Sequence, residues 1–113
     1  VVDCSHTGYR TTMDALETSD SPVIFSHSNA RALRDHERNI WDDQIKACAA
    51  TGGVVGVTGV GIFMGPDGPT IDHLVEHIER CALRERWGLS LPMLGAGGFR
   101  EVLLRACPAG RCI

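Results

Sequence analysis

Two apolar runs that end alike constrain this chain more than any other feature. Cys4-Ser5-His6 and Phe25-Ser26-His27 each set a histidine just past an apolar run, 21 residues apart. That interval is one short strand-plus-helix unit, so the two runs are expected side by side in a parallel sheet. Val1-Val2-Asp3-Cys4-Ser5 opens on β-branched residues. Pro22-Val23-Ile24-Phe25-Ser26 is apolar throughout its centre, as a strand covered on both faces is. Between them, residues 11–19 carry Met13, Ala15 and Leu16 at helical spacing, stopped by Ser19-Asp20-Ser21-Pro22.

The beat continues. A polar stretch over 28–39 leaves room for one helical turn near Ala30. A helix then opens at Trp41-Asp42-Asp43-Gln44, with acidic groups in the turn that favours them, and ends at Gly52-Gly53. Val54-Val55-Gly56-Val57 reads as a third strand, and the glycines and prolines of 59–69 as a flexible connection. Thr70 can cap a further helix whose apolar stripe is Ile71, Leu74, Val75 and Ile78. Strands alternating with helices imply an α/β fold with parallel pairing and right-handed crossovers.

Composition removes several classes. Eleven Lys and Arg against 14 Asp and Glu give a formal charge of −3, which argues against a nucleic-acid footprint. No apolar run approaches the ~20 residues of a membrane helix. The opening has no initiator Met and no basic region leading into an apolar one, so no signal peptide is expected. The five cysteines are odd in number and lack a CxxC pair, which reads as reduced thiols of a cytoplasmic protein.

Histidines at the carboxyl ends of adjacent parallel strands stand where open α/β sheets and β/α barrels build their active sites. Adjacent strands lie ~4.8 Å apart, so His6 and His27 could meet one metal, or hold one each of a close pair. A single such histidine is ordinarily a hydrogen-bonded structural group; two in one setting open the metal reading. Arg38 stands in the polar loop after His27, suited to clamp a carboxylate, with pairing to Asp35, Glu37 or Asp42 as the plain alternative. A rival metal motif is His73-Leu74-Val75-Glu76-His77, of the H-x-x-E-H type. The apolar stripe puts His73, Glu76, His77 and Arg80 on the solvated face of its helix. Gly59-Val60-Gly61-Ile62-Phe63-Met64-Gly65 departs from the dinucleotide pattern and reads as backbone turns, and Ser5 and Ser26 sit in no nucleophile elbow.

Three stretches together resemble the renal (membrane) dipeptidase family: Asp3-Cys4-Ser5-His6-Thr7-Gly8-Tyr9, Pro22-Val23-Ile24-Phe25-Ser26-His27-Ser28-Asn29-Ala30, and His36-Glu37-Arg38-Asn39-Ile40. Gly52-Gly53-Val54-Val55-Gly56-Val57 is similar to that family's next strand. The resemblance covers about residues 1–80 and implies three to four parallel units from the C-terminal half of a (β/α)8 barrel. It implies a metallopeptidase with two zinc ions, bridged by a carboxylate and a hydroxide, that hydrolyses dipeptides. By matching position, His6 and His27 would ligate one zinc, Arg38 would hold the dipeptide's terminal carboxylate, and Phe63 would lie near substrate. The other half-site, a His-x-Asp and a bridging Glu, matches nothing here. No Asp follows Asp72 to supply the family's proton-transfer group near Leu89 to Gly95, so no catalytic residue is assigned.

Residues 81–113 form a divergent tail. It holds five Arg and no Lys, as an out-of-register reading of GC-rich DNA would give. The expectation is therefore a zinc dipeptidase fragment, inactive as an isolated chain. The alternatives are a non-catalytic fold remnant that self-associates through open sheet edges as a homo-oligomer, and a surface zinc helix at His73 and His77.

Overall fold

The computed structural model describes residues 1–84, 87–90 and 101–106. Three strands, β1 (Val2–Asp3), β2 (Val23–Phe25) and β3 (Val54–Thr58), lie side by side and parallel. Val2 and Asp3 pair with Val23 and Ile24, and Ile24 and Phe25 with Val54 and Val55. The helices α1 (Tyr9–Thr18) and α2 (Asp42–Ala50) make the two crossovers, as the alternating pattern requires. Val23, Phe25, Val55 and Val57 are wholly buried and form the core with Leu16 of α1 and Ile45 of α2.

Two local devices explain the bounds of α2. The Gln44 side chain reaches back to accept the Trp41 N–H at 2.9 Å, satisfying a donor that the first turn leaves free. At the other end Gly52 takes φ +73°, its N–H bonds the Ala49 carbonyl, and the Gly53 N–H bonds the Cys48 carbonyl. This is a Schellman stop.

Beyond β3 the structure departs from the expected pattern in three ways. The glycine-rich stretch is not simply a flexible connection: Gly61–Met64 form a helical turn, α3, which buries Phe63 and Met64. In α4 (Ile71–Arg84) the Thr70 hydroxyl accepts the His73 N–H as expected, but the buried stripe is Leu74, His77 and Cys81. Ile71 and Val75 face solvent, and Arg80 forms a two-pronged, half-buried pair with Asp42 of α2. The helix is turned so that a ring with two polar atoms, matched inside, replaces an aliphatic side chain. Third, β4 (Trp87–Ser90) and β5 (Glu101–Ala106) are antiparallel, β5 to β3 from Thr58–Glu101 to Val54–Arg105, and β4 to β5. The sheet order is β1-β2-β3-β5-β4, a mixed sheet with a parallel three-strand portion.

Cys4, Cys48 and Cys81 are buried free thiols, and burial pushes those of Cys48 and Cys81 up to about 12. Cys107, Cys112 and the glycine cluster over 95–98 lie outside the described residues. Among the described residues, no helix is long and apolar enough to cross a membrane.

Candidate metal and substrate site

The site gathers at the carboxyl ends of β1 and β2. Past β1, the Asp3 carboxylate accepts the Ser5 N–H at 2.9 Å, a tight Asx turn. The Thr7 N–H and hydroxyl both bond the Cys4 carbonyl, at 3.3 and 2.7 Å. Between these two anchors His6 is held at φ +69°, a left-handed conformation uncommon for any residue with a side chain. Such backbone persists where surrounding bonds enforce it, and its effect here is to aim the imidazole across the rim.

Past β2, the Ser28 N–H bonds the Gly56 carbonyl at 2.8 Å. Asn29 clasps Thr58 from both sides, Nδ2 to its carbonyl at 3.0 Å and its N–H to Oδ1 at 2.8 Å. These bonds extend the strand pairing and hold the segment bearing His27. The two imidazoles converge: Nε2 of His6 lies 2.8 Å from Nε2 of His27, with ring centroids 4.9 Å apart and planes at 60°.

Around His27 the polar contacts are dense. Ser26 Oγ lies 2.8 Å from Nδ1 of His27 and donates to Asp3 Oδ2 at 2.5 Å. The Ser26 N–H reaches Asp3 Oδ1 at 3.2 Å, and the Ser5 hydroxyl sits 3.3 Å from that of Ser26 and accepts the His27 N–H at 3.2 Å. Burial by itself would raise the Asp3 pKa, but the donors from Ser26 and Ser5 outweigh it and hold the carboxyl at about 2. The His6 pKa is lowered, by desolvation first, then by the nearby Arg38 guanidinium and the adjoining imidazole ring.

Beside His6 opens a pocket of ≈ 380 Å³ whose lining includes Tyr9, Ser28, Arg38, Asn39 and Trp41. Among the described residues, Arg31 holds Asp35 at 2.8 Å and Arg80 holds Asp42, while Nε and Nη2 of Arg38 are buried without a hydrogen-bond partner. Of the plain alternatives for Arg38, Asp35 and Asp42 are held by other arginines, and among the described ion pairs none joins it to Glu37. Its guanidinium carbon stands 5.2 Å from the Phe63 ring centre, and His36 packs on the same ring at 5.0 Å. Phe63 is buried in α3 and backs Arg38; the pocket lining does not include it. His6, His27 and Arg38 therefore come together, with Phe63 behind them.

The rival motif dissolves. His77 lies inside the protein, 1% exposed, where Nδ1 accepts the Ala30 N–H at 3.1 Å and Nε2 meets the Met64 carbonyl at 3.1 Å. Both nitrogens are engaged, so no lone pair remains for a metal and no solvated zinc helix exists at His73 and His77. Asp3, Ser26, Tyr9 and Trp41 enter the site unforeseen. Only Asp3 carried a local signal, an Asx turn two residues before Ser5.

Could His6 and His27 hold zinc? Two Zn–N bonds of ~2.0–2.1 Å at a tetrahedral angle set the nitrogens about 3.3 Å apart, so the rings must open by about half an ångström. His6 is exposed and has room to do so. The pair fits part of a coordination set, and among the described residues no group of three or more His, Cys, Asp or Glu side chains could complete one.

Known proteins resemble this chain closely. The family model for membrane dipeptidase (peptidase family M19) matches residues 1–88. An uncharacterized dipeptidase of Schizosaccharomyces pombe is 46% identical over 81 residues, 69% of this chain and 20% of its own length. A dipeptidase of Clonostachys rogersoniana is 35% identical over 109 residues, 90% of this chain and 28% of its own length. The crystal structure of a metallopeptidase from Rhodobacter sphaeroides, liganded with a phosphinate mimic of the dipeptide L-Ala-D-Ala, has TM-score 0.68 and 28% identity, over 73% of this chain and 25% of that one. The chain thus spans 20% to 28% of the length of these relatives. With a family match running from residue 1 to residue 88, across both histidines and Arg38, the chain belongs to the membrane dipeptidase family.

Proposed function

We propose that this chain is part of the C-terminal half of a (β/α)8-barrel zinc dipeptidase, with His6 and His27 as ligands of one zinc and Arg38 as the anchor for the substrate's terminal carboxylate. One observation carries the reading: two imidazole Nε2 atoms lie 2.8 Å apart, and the ring of His6 lines a pocket together with an arginine whose buried N–H groups lack partners. Bound zinc would supply a Lewis acid for the scissile carbonyl and a water with a pKa near 7.

The chain's own residues do the rest of the work at this rim. Arg38 offers two parallel N–H donors to a carboxylate, which fixes the dipeptide in direction as well as position. Phe63 stacks near the guanidinium and limits where it can swing, a positioning role behind the substrate. Tyr9 donates to Asp43 at 2.5 Å and Arg31 lies 4.4 Å over the Trp41 ring, so the outer wall of the pocket is aromatic and held in place. That wall excludes water from one side of a bound dipeptide. The phosphinate ligand of the Rhodobacter sphaeroides relative supports dipeptides as the substrate class.

Cobalt titration followed by visible absorption tests the assignment. The wild-type chain is expected to take up cobalt, and His6→Ala and His27→Ala each to lose it. His73→Ala, whose ring bonds the Gly68 carbonyl away from the two strand ends, should bind as wild type does. Uptake that survives in the His6→Ala, His27→Ala double variant overturns the assignment.

A further inference from the structure

The acid side chain at the end of β1 and the hydroxyl at the end of β2 have no role in the reading above, yet they stand directly behind a proposed ligand. We propose that Asp3 and Ser26 form a positioning relay that fixes the tautomer of His27, keeping its proton on Nδ1 and its Nε2 lone pair aimed at the metal position. This inference rests on the proposed role of His27 and deepens it.

Counting hydrogens gives the argument. A carboxylate only accepts, so the 2.5 Å contact from Ser26 Oγ to Asp3 Oδ2 uses the single hydroxyl hydrogen of Ser26. Ser26 Oγ then has only lone pairs to offer its other neighbours. The 2.8 Å contact with His27 is therefore Nδ1–H donating to Ser26 Oγ, and the 3.3 Å contact with Ser5 is the Ser5 hydroxyl donating. A neutral imidazole with Nδ1 protonated has a bare Nε2. The 2.8 Å approach of the two rings follows, with the exposed His6 giving its Nε2–H to that lone pair. A cation that displaces this proton finds the His27 lone pair already oriented. Carboxylate partners behind a ligating histidine do this in metal sites generally; here the carboxylate acts through an intervening hydroxyl.

The geometry also dictates the decisive variant. Oδ1 of Asp3 is held by two backbone donors, Ser5 N–H at 2.9 Å and Ser26 N–H at 3.2 Å. In Asp3→Asn the amide oxygen must stay with those donors, which turns Nδ2 toward Ser26. Ser26 Oγ then accepts from Asn Nδ2 and points its own hydrogen at His27 Nδ1. The proton of His27 moves to Nε2 and closes the lone pair that faced His6. The replacement is isosteric, so the fold is retained.

Long-range proton–nitrogen spectra of the ¹⁵N-labelled, metal-free chain at about pH 8, above the ordinary histidine pKa of ~6.5, read the tautomer directly. Wild type is expected to show His27 protonated on Nδ1, Asp3→Asn on Nε2, and Ser26→Ala a mixture of the two. Cobalt affinity is expected to fall about 10- to 100-fold in both variants. A wild-type His27 protonated on Nε2, an Asp3→Asn variant with the tautomer unchanged, or variants that bind cobalt as tightly as wild type overturn the relay. Backbone amide spectra that superimpose away from the rim separate this effect from unfolding. The tautomer is read without metal, so a wild-type chain that binds no cobalt overturns the proposed metal site, while the relay stands or falls on the spectra.

Discussion

His77 is a polar ring in a position that an aliphatic side chain would ordinarily fill, and it survives there because both nitrogens are matched. It receives the Ala30 N–H, three residues past His27, and meets the carbonyl of Met64, next to Phe63. One side chain of α4 thus ties the segment that follows His27 to the turn that carries Phe63. Replacing it with Leu leaves a buried donor and a buried acceptor without partners, each costing about 1–3 kcal/mol. We expect His77→Leu to lower the free energy of unfolding by about 2–5 kcal/mol in urea titrations. Burial lowers the His77 pKa below its ordinary value, although Met64 and Glu76 push the other way. The unfolded chain therefore binds the proton more readily than the folded one. Stability from this group is complete above about pH 6.5 and is lost as pH falls below it, because Nδ1 can no longer accept once protonated. His77→Leu should flatten that dependence, and an undiminished acid slope in the variant contradicts this account. The convergence of His6 and His27 was legible in the sequence because a histidine after an apolar run is a local pattern, whereas Arg38 stood out only through the family resemblance. The inward turn of His77 was not legible. An apolar stripe passes it by, and the partners that make a buried imidazole tolerable come from 13 and 47 residues away. The bond between Ser26 and Asp3 was hidden for a similar reason, since it joins residues 23 positions apart.

At the scale of elements, the junction of α2 and β3 sets how closely the helix layer approaches the sheet. Gly52 and Gly53 are adjacent and look interchangeable, yet they meet different demands. Gly52 sits at φ +73° with open space around it, so a side chain there costs only backbone strain, about 1–2 kcal/mol. A Cβ on Gly53 would fall 1.9 Å from the Val23 carbonyl oxygen and 2.8 Å from Cys48 Sγ, where no side chain fits without moving β2 or α2. We expect Gly53→Ala to destabilise the chain by more than Gly52→Ala, by about 3 kcal/mol or more. Urea denaturation of the two variants gives the comparison, and equal losses would contradict the close approach. The pair read correctly as a helix stop, since Gly past a helix end is a local signal, but the crowding at the second glycine depends on β2. Short-range pattern likewise disclosed the beat of the first three strands and the two crossovers between them. It missed α3, a single turn inside a glycine-rich stretch, whose burial of Phe63 and Met64 is a tertiary gain. It also missed the antiparallel return of β5 along β3, because pairing direction lies in the connection and not in the strand's own residues.

For the whole molecule, the decisive quantity is the number of ligands brought to one place. Two strand ends deliver two imidazoles, and among the described residues no third protein group joins them. A structural or catalytic zinc takes three or four protein donors. A (β/α)8 barrel needs ~250 residues to bring donors from several strand ends to one rim, and this chain spans 20% to 28% of the length of its curated relatives. On the proposed assignment, binding a cation and orienting a carboxylate need only the residues at the β1 and β2 ends and the Arg38 loop. The proposed reaction, with a water and a scissile carbonyl held between two metal ions, would need donors beyond these. We therefore expect the 113-residue chain to bind at most one zinc, measured by metal content after equilibrium dialysis, and to hydrolyse no dipeptide in an amine-release assay with zinc in excess. Arg38→Ala should leave zinc content unchanged while weakening capture of a phosphinate dipeptide mimic about tenfold or more, since a charge-assisted pair contributes about 1.5–3 kcal/mol. Chelator-sensitive turnover by this chain, or two zinc ions retained per chain, would contradict the half-site account and require donors beyond the two histidines.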